Sequence, residues 1–154
     1  MMTGMSEMTR RDVLAGVAAL ALSGVAAEGQ TAPATGPGTM GMTKVIRPEL
    51  VSTGPGIERW DMIGGTLGTG ETLGMHESRV QPGVAGPALH RIAHSELLVV
   101  VEGTLEIQHD GVVETAPAGS VIYVAYGTTH AVRNVGTVAA RYFVIQIGGD
   151  TKHA

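Results

Sequence analysis

In the run HRIAHSE, His90, Ile92, His94 and Glu96 stand two apart. As a regular strand this run would turn two imidazoles and a carboxylate to one face. Imidazole nitrogen beside carboxylate oxygen suits divalent iron, manganese, nickel, copper or zinc, and three protein ligands leave positions open for water or substrate. The spacing alone is also compatible with histidines lying on a strand surface. There are no cysteines, which removes disulfides, thiolate zinc sites, iron–sulfur clusters and a cysteine nucleophile, so any metal must rest on His, Asp or Glu. No Gly-rich phosphate loop and no Gly-x-Ser-x-Gly elbow is present.

The elements that must position these side chains are short strands. From Lys44 onward no segment keeps apolar residues at helical spacing, while β-branched runs recur between turn signals. Strands are expected at 57–63, 73–80, 96–101, 104–108, 112–115, 120–125, 130–134 and 138–147. Between them lie Pro82-Gly83, Glu102-Gly103, Asp110-Gly111, Pro117-Ala118-Gly119, Gly127 and Asn134-Val135-Gly136. The high glycine content therefore falls at turns of the kind hairpins use. Eight antiparallel strands at this spacing predict an all-β jelly roll or small barrel, with a mouth where inward side chains can line a pocket. The run Leu97-Leu98-Val99-Val100-Val101 is expected to be a strand buried on both faces.

The order of these residues resembles the cupin superfamily from Lys44 to about Gly148. The first cupin motif is Gly, five residues, His-x-His, three or four residues, Glu, six residues, Gly. Here HRIAHSELLVVVEG supplies His90, then Ile92 where the second histidine belongs, then Glu96 and Gly103, with Gly83 one residue further off than the pattern asks. The second motif is Gly, five residues, Pro-x-Gly, two residues, His, three residues, Asn. GSVIYVAYGTTHAVRN reproduces it with Gly119, Gly127, His130 and Asn134, and Ala125 replaces the proline.

The resemblance implies a cupin-like jelly-roll barrel as a single domain, and His90, Glu96 and His130 as three of four usual ligands of one divalent transition metal. Ile92, at the fourth, cannot donate an electron pair, and His94, two residues on, is the candidate substitute. Cupins usually turn between the His-x-His strand and the strand bearing Glu, so the alternation that would aim His94 inward need not hold. The activity implied is action on a small organic molecule, dioxygenase-like oxidation first. The alternatives are a cupin isomerase or lyase, or a non-catalytic binding or sensing barrel whose metal site is degraded. A homodimer is expected by the same analogy.

Tyr123, Tyr142 and Phe143 are core or pocket wall, and Tyr123 or Tyr142 would offer a hydroxyl to a ligand. Arg133 and Arg141 read as surface residues, one of which at the mouth would pair a substrate carboxylate. Ile92 joins Tyr123, Tyr142 and Arg141 as candidate pocket wall. Asn134 reads as a turn residue tying backbone, Gly103, Gly119 and Gly127 as backbone conformations closed to other residues, and His76, one strand earlier, as partly exposed.

Ahead of the domain, Arg10-Arg11 precedes an apolar run ending in Val25-Ala26-Ala27, shorter than the roughly 20 residues a spanning helix needs. Residues 1–27 resemble a twin-arginine export signal, predicting a periplasmic or secreted mature chain free of the membrane, with an ordinary secretory signal or an uncleaved anchor as the alternatives. Residues 28–43 read as a flexible linker, 44–148 as the domain and 149–154 as a tail. Lys+Arg 10 against Asp+Glu 14, with five aromatic residues in all, argues against a nucleic-acid partner, and a small-molecule partner is what the resemblance to cupins implies.

Overall fold

Ten strands make up the computed structural model, which describes Met40, Gly41 and residues 43–151. They are β1 (Glu49–Gly54), β2 (Ile57–Thr66), β3 (Thr72–Val80), β4 (His90–Arg91), β5 (Ser95–Glu102), β6 (Thr104–His109), β7 (Val112–Pro117), β8 (Val121–Val124), β9 (Thr129–Asn134) and β10 (Ala140–Ile147). The export signal, most of the linker and the last three residues lie outside the described residues. There is no helix among the described residues, and all pairings of named strands are antiparallel.

Two sheets form, in the orders β1-β2-β3-β10-β5-β8 and β4-β9-β6-β7. Their inner faces close on one core that includes Val80, Leu98, Val100, Leu105, Val132, Ala140, Tyr142 and Val144. This is a jelly roll, the architecture expected from strand number and turn spacing. Turn chemistry sets the register: His109 pairs with Val112, and the two residues between them, Asp110 and Gly111, both have positive φ (45° and 80°). Such a two-residue loop matches the right-handed twist of its flanking strands. At Gly103 (φ 76°) a Cβ would lie 2.7 Å from the Ala140 Cα, so only glycine lets β5 turn into β6 there.

Asn134, only 1% exposed, closes one end of the barrel: its Nδ2 donates to Val80 O (2.9 Å) and Val138 O (2.8 Å), while its Oδ1 accepts from Gly136 N (2.8 Å). The other end is polar and carries the site.

One expectation is corrected. Leu98 and Val100 are buried, but Leu97, Val99 and Val101 on the same strand are only half-buried. They stand on the outer face of the six-stranded sheet with Phe143, Ile145 and exposed Val121 and Tyr123. In one chain nothing packs over that face among the described residues, so β5 is buried on one side.

Candidate functional site

Strand pairing brings the candidate residues together. His90 on β4 pairs with His130 on β9, with ring centroids 4.8 Å apart. Glu96, near the start of β5, stands in register with Gln146 on β10 and Val124 on β8. The two sheets face each other here, and Glu96 Oε2 lies 3.4 Å from His130 Nε2. Burial pushes the Glu96 carboxyl up, but hydrogen bonds from His130, His94 and Gln146 outweigh it and hold the group at about 2, so it is ionised.

The chain bends at Ala93 and His94 between β4 and β5, so simple alternation does not run from His90 to Glu96. His94 is nevertheless buried, and both of its ring nitrogens are engaged: Nε2 with Glu96 Oε1 (2.8 Å) and Nδ1 with Asp150 Oδ1 (2.7 Å). Burial lowers its pKa, and the two carboxylates more than reverse this, so the net shift is upward. An imidazole donating from both nitrogens has no lone pair left for a metal. In this arrangement His94 stands as a partner of Glu96 Oε1, alongside Gln146, whose Nε2 donates to the same oxygen at 3.1 Å and lies 3.2 Å from His94 Nε2.

Two cavities of about 410 and 440 Å3 share Arg59, His76, His90, Glu96 and Gln146 in their walls. The first adds Arg91, Ile92, His94 and Asp150. The second is more apolar, with Ile57, Pro87, Leu98, Val132, Tyr142 and Val144. Tyr142 is buried there and its hydroxyl pKa is raised, chiefly by burial, keeping it a neutral donor beside Ser78. His76 is buried and lines both cavities, a correction to its expected exposure; burial first, then the charge of Arg59, lowers its imidazole to about 4, so it is neutral near pH 7.

Two candidate wall residues are elsewhere. Tyr123 is 65% exposed on the outer face, because alternation on β8 aims Ile122 and Val124 inward instead. Arg141 also points outward, where Glu77 (3.5 Å) and Glu102 (3.2 Å) hold it. Tyr142 and Ile92, the latter 4% exposed, do line the cavities. Arg59, Asp61, Gln146 and Asp150 were not anticipated. For the first three the available signal was a polar side chain at alternate positions of an inward-facing strand; Asp150 had only a preceding Gly148-Gly149 pair.

A family model for the cupin domain matches residues 76–146. Residues 76–146, which run from β3 into β10, are a cupin domain. Solved structures of similar fold include an RmlC-like cupin from Shewanella frigidimarina (22% identity, 68% of this chain and 86% of that one, TM-score 0.55). KdgF from a Halomonas species matches at 17% identity over 66% of this chain and 88% of that one, TM-score 0.55. A predicted oxalate decarboxylase from Thermotoga maritima matches at 18% identity over 68% and 98%, TM-score 0.54. At such identities the likeness is one of fold, on which cupins carry different activities. No curated protein matches.

Cupins often bind a metal, and the residues here bear on whether this one does. As the side chains stand, no group of three or more His, Cys, Asp or Glu among the described residues is arranged to hold a metal ion. The donor chemistry fits one at three positions. His90 donates its Nδ1–H to Ala88 O (2.9 Å), which leaves Nε2 with a lone pair. His130 is buried, with Nε2 3.4 Å from Glu96 Oε2 and no partner for Nδ1, so the tautomer with its proton on Nδ1 would offer an Nε2 lone pair beside the carboxylate. Glu96 is an ionised carboxylate with Oε1 tied back and Oε2 turned to His130.

Proposed function

We propose that this cupin holds one divalent transition metal on His90, Glu96 and His130 and acts on a small organic molecule in the adjoining cavity, with dioxygenase-like oxidation as its chemistry. The observation that carries the reading is the meeting of an ionised, buried Glu96 with His130 and the neighbouring, tilted ring of His90 at the polar end of an otherwise apolar barrel. Iron, manganese, nickel or copper bound there supplies Lewis acidity and redox reactivity toward dioxygen, and zinc supplies Lewis acidity alone. The chain's own residues do the positioning. Ala88 O sets the His90 tautomer, and His94 with Gln146 fixes one oxygen of Glu96. Leu98, Val132 and Val144 exclude water from the reacting molecule.

The test is oxygen uptake by the metal-loaded protein across a panel of small organic acids, enols and phenols, against a chelator-treated control. Metal-dependent uptake with a matching product supports the reading. A second reading, a non-catalytic binding barrel, is favoured by Ile92 at the motif position that would complete the ligand set. Stoichiometric ligand binding without turnover would establish it.

Two further features complete the proposal. Residues 1–27 serve as a twin-arginine signal removed on export, so the periplasmic protein is expected to begin at Glu28; N-terminal sequencing that finds Met1 contradicts this. Leu97, Val99, Phe143 and Ile145 form the contact of a homodimer, tested by light scattering on the parent and on Val99→Lys, which is expected to run as one chain.

A further inference from the structure

On β2, Ile57, Arg59 and Asp61 stand opposite Val80, Ser78 and His76 of β3, so they share the inward face of the six-stranded sheet. Asp61 Oδ1 accepts from Arg59 Nε at 2.8 Å. Among the described residues neither terminal nitrogen of Arg59 has a hydrogen-bond partner. The guanidinium plane is thus fixed from one side while its outer edge stays open in the wall of both cavities. A planar fork with a free edge is matched to a carboxylate, which it binds through two parallel hydrogen bonds.

The charges around it say where a ligand anion can rest. Glu96, Asp61 and Asp150 are acidic wall residues, and His94 is already bound to two of them. Arg91 lies at the rim, with its Nη2 3.2 Å from where a Cβ on Gly127 would sit. Within the more apolar cavity Arg59 is the one Lys or Arg, set among Leu98, Val132, Val144, Pro87, Tyr142 and His76, with the Glu96 carboxylate and the imidazoles of His90 and His130 completing the polar part of the wall. We propose that the barrel takes a small monocarboxylate with an apolar body, its carboxylate held by Arg59 and its body lying on Leu98, Val132 and Val144. This rests on the reading of the barrel as a small-molecule site and names the class of molecule. It does not depend on the metal.

The test compares acetate, butyrate, phenylacetate and benzoate with their neutral amides by calorimetry. It uses the full-length mature protein, both metal-loaded and chelator-treated, and the variants Arg59→Met and Arg59→Lys. Metal content is measured on each sample. The expected result is that at least one acid binds ten-fold or more tighter than its amide, in both metal states. That preference falls to about one in Arg59→Met and is partly kept in Arg59→Lys. If no acid is preferred over its amide, or Arg59→Met keeps the preference, the assignment is overturned. A preference seen only with metal and unchanged in Arg59→Met would move the carboxylate to the metal, overturning this proposal while supporting the metal reading. Absence of metal together with an intact Arg59-dependent preference would do the reverse.

Discussion

Asp150 reaches back across 56 residues to hold His94, its Oδ1 2.7 Å from Nδ1, while Glu96 holds the other nitrogen at 2.8 Å. The turn that carries Asp150 is fastened to the bend before β5: Asp150 N donates to Ala93 O at 3.1 Å, and Gly149 has a positive φ of 59°. A Cβ at Gly149 would collide with Ala93 O. Residues just past the last strand therefore fix a histidine at the centre of the site.

Removing this contact has a signed consequence. With its pKa raised in the fold, His94 contributes stability that is complete below its ordinary value of 6.5 and is lost as pH rises through the folded value. Asp150→Ala is expected to bring the His94 titration, followed by NMR of the ring protons, down toward 6.5 and to flatten the alkaline side of the stability profile. Gly149→Ala should do the same by displacing the turn. An unchanged His94 titration in both variants would contradict the arrangement.

His76 works in the opposite direction. Its pKa is lowered from 6.5 to about 4 by burial and by Arg59, so the unfolded chain takes up a proton that the folded chain refuses. Its contribution is complete above pH 6.5 and is lost as pH falls toward 4, amounting to about 3 kcal/mol. Denaturant titrations from pH 7 to pH 4 should show that loss in the parent protein and little of it in His76→Gln. Glu96, held at about 2, loses its contribution lower, from 4.5 downward, so the two windows separate.

At the far end of the barrel, Asn134→Ala leaves two carbonyls and one N–H without their partner. One buried carbonyl and two part-buried groups orphaned together should cost about 1–3 kcal/mol, read as a lower denaturation midpoint. A loss under about 0.5 kcal/mol would mean that water replaces the side chain.

Eight of the ten strands were legible in the sequence, because alternation between glycine turns is a local signal. β1 was not: it pairs with β2 alone at the sheet edge, and residues such as Leu50 and Val51 remain exposed, so no apolar period marks it. β4 is two residues long and exists through its pairing with β9. The motif spacings singled out His90, Glu96 and His130, which the strands do bring to one end. The role of His94 was hidden because its second carboxylate comes from 56 residues away. Arg141 and Tyr123 were misplaced inward because alternation fixes a period but not its phase.

On the proposed function, His90, Glu96 and His130 bind a metal and His94 does not. Elemental analysis of the mature protein, purified without chelator, beside His130→Ala and His94→Ala, tests it most directly. One divalent transition metal per chain in the parent, none in His130→Ala and continued binding in His94→Ala is the predicted result. A metal-free parent, equal metal in His130→Ala, or a loss in His94→Ala as complete as in His130→Ala would contradict it.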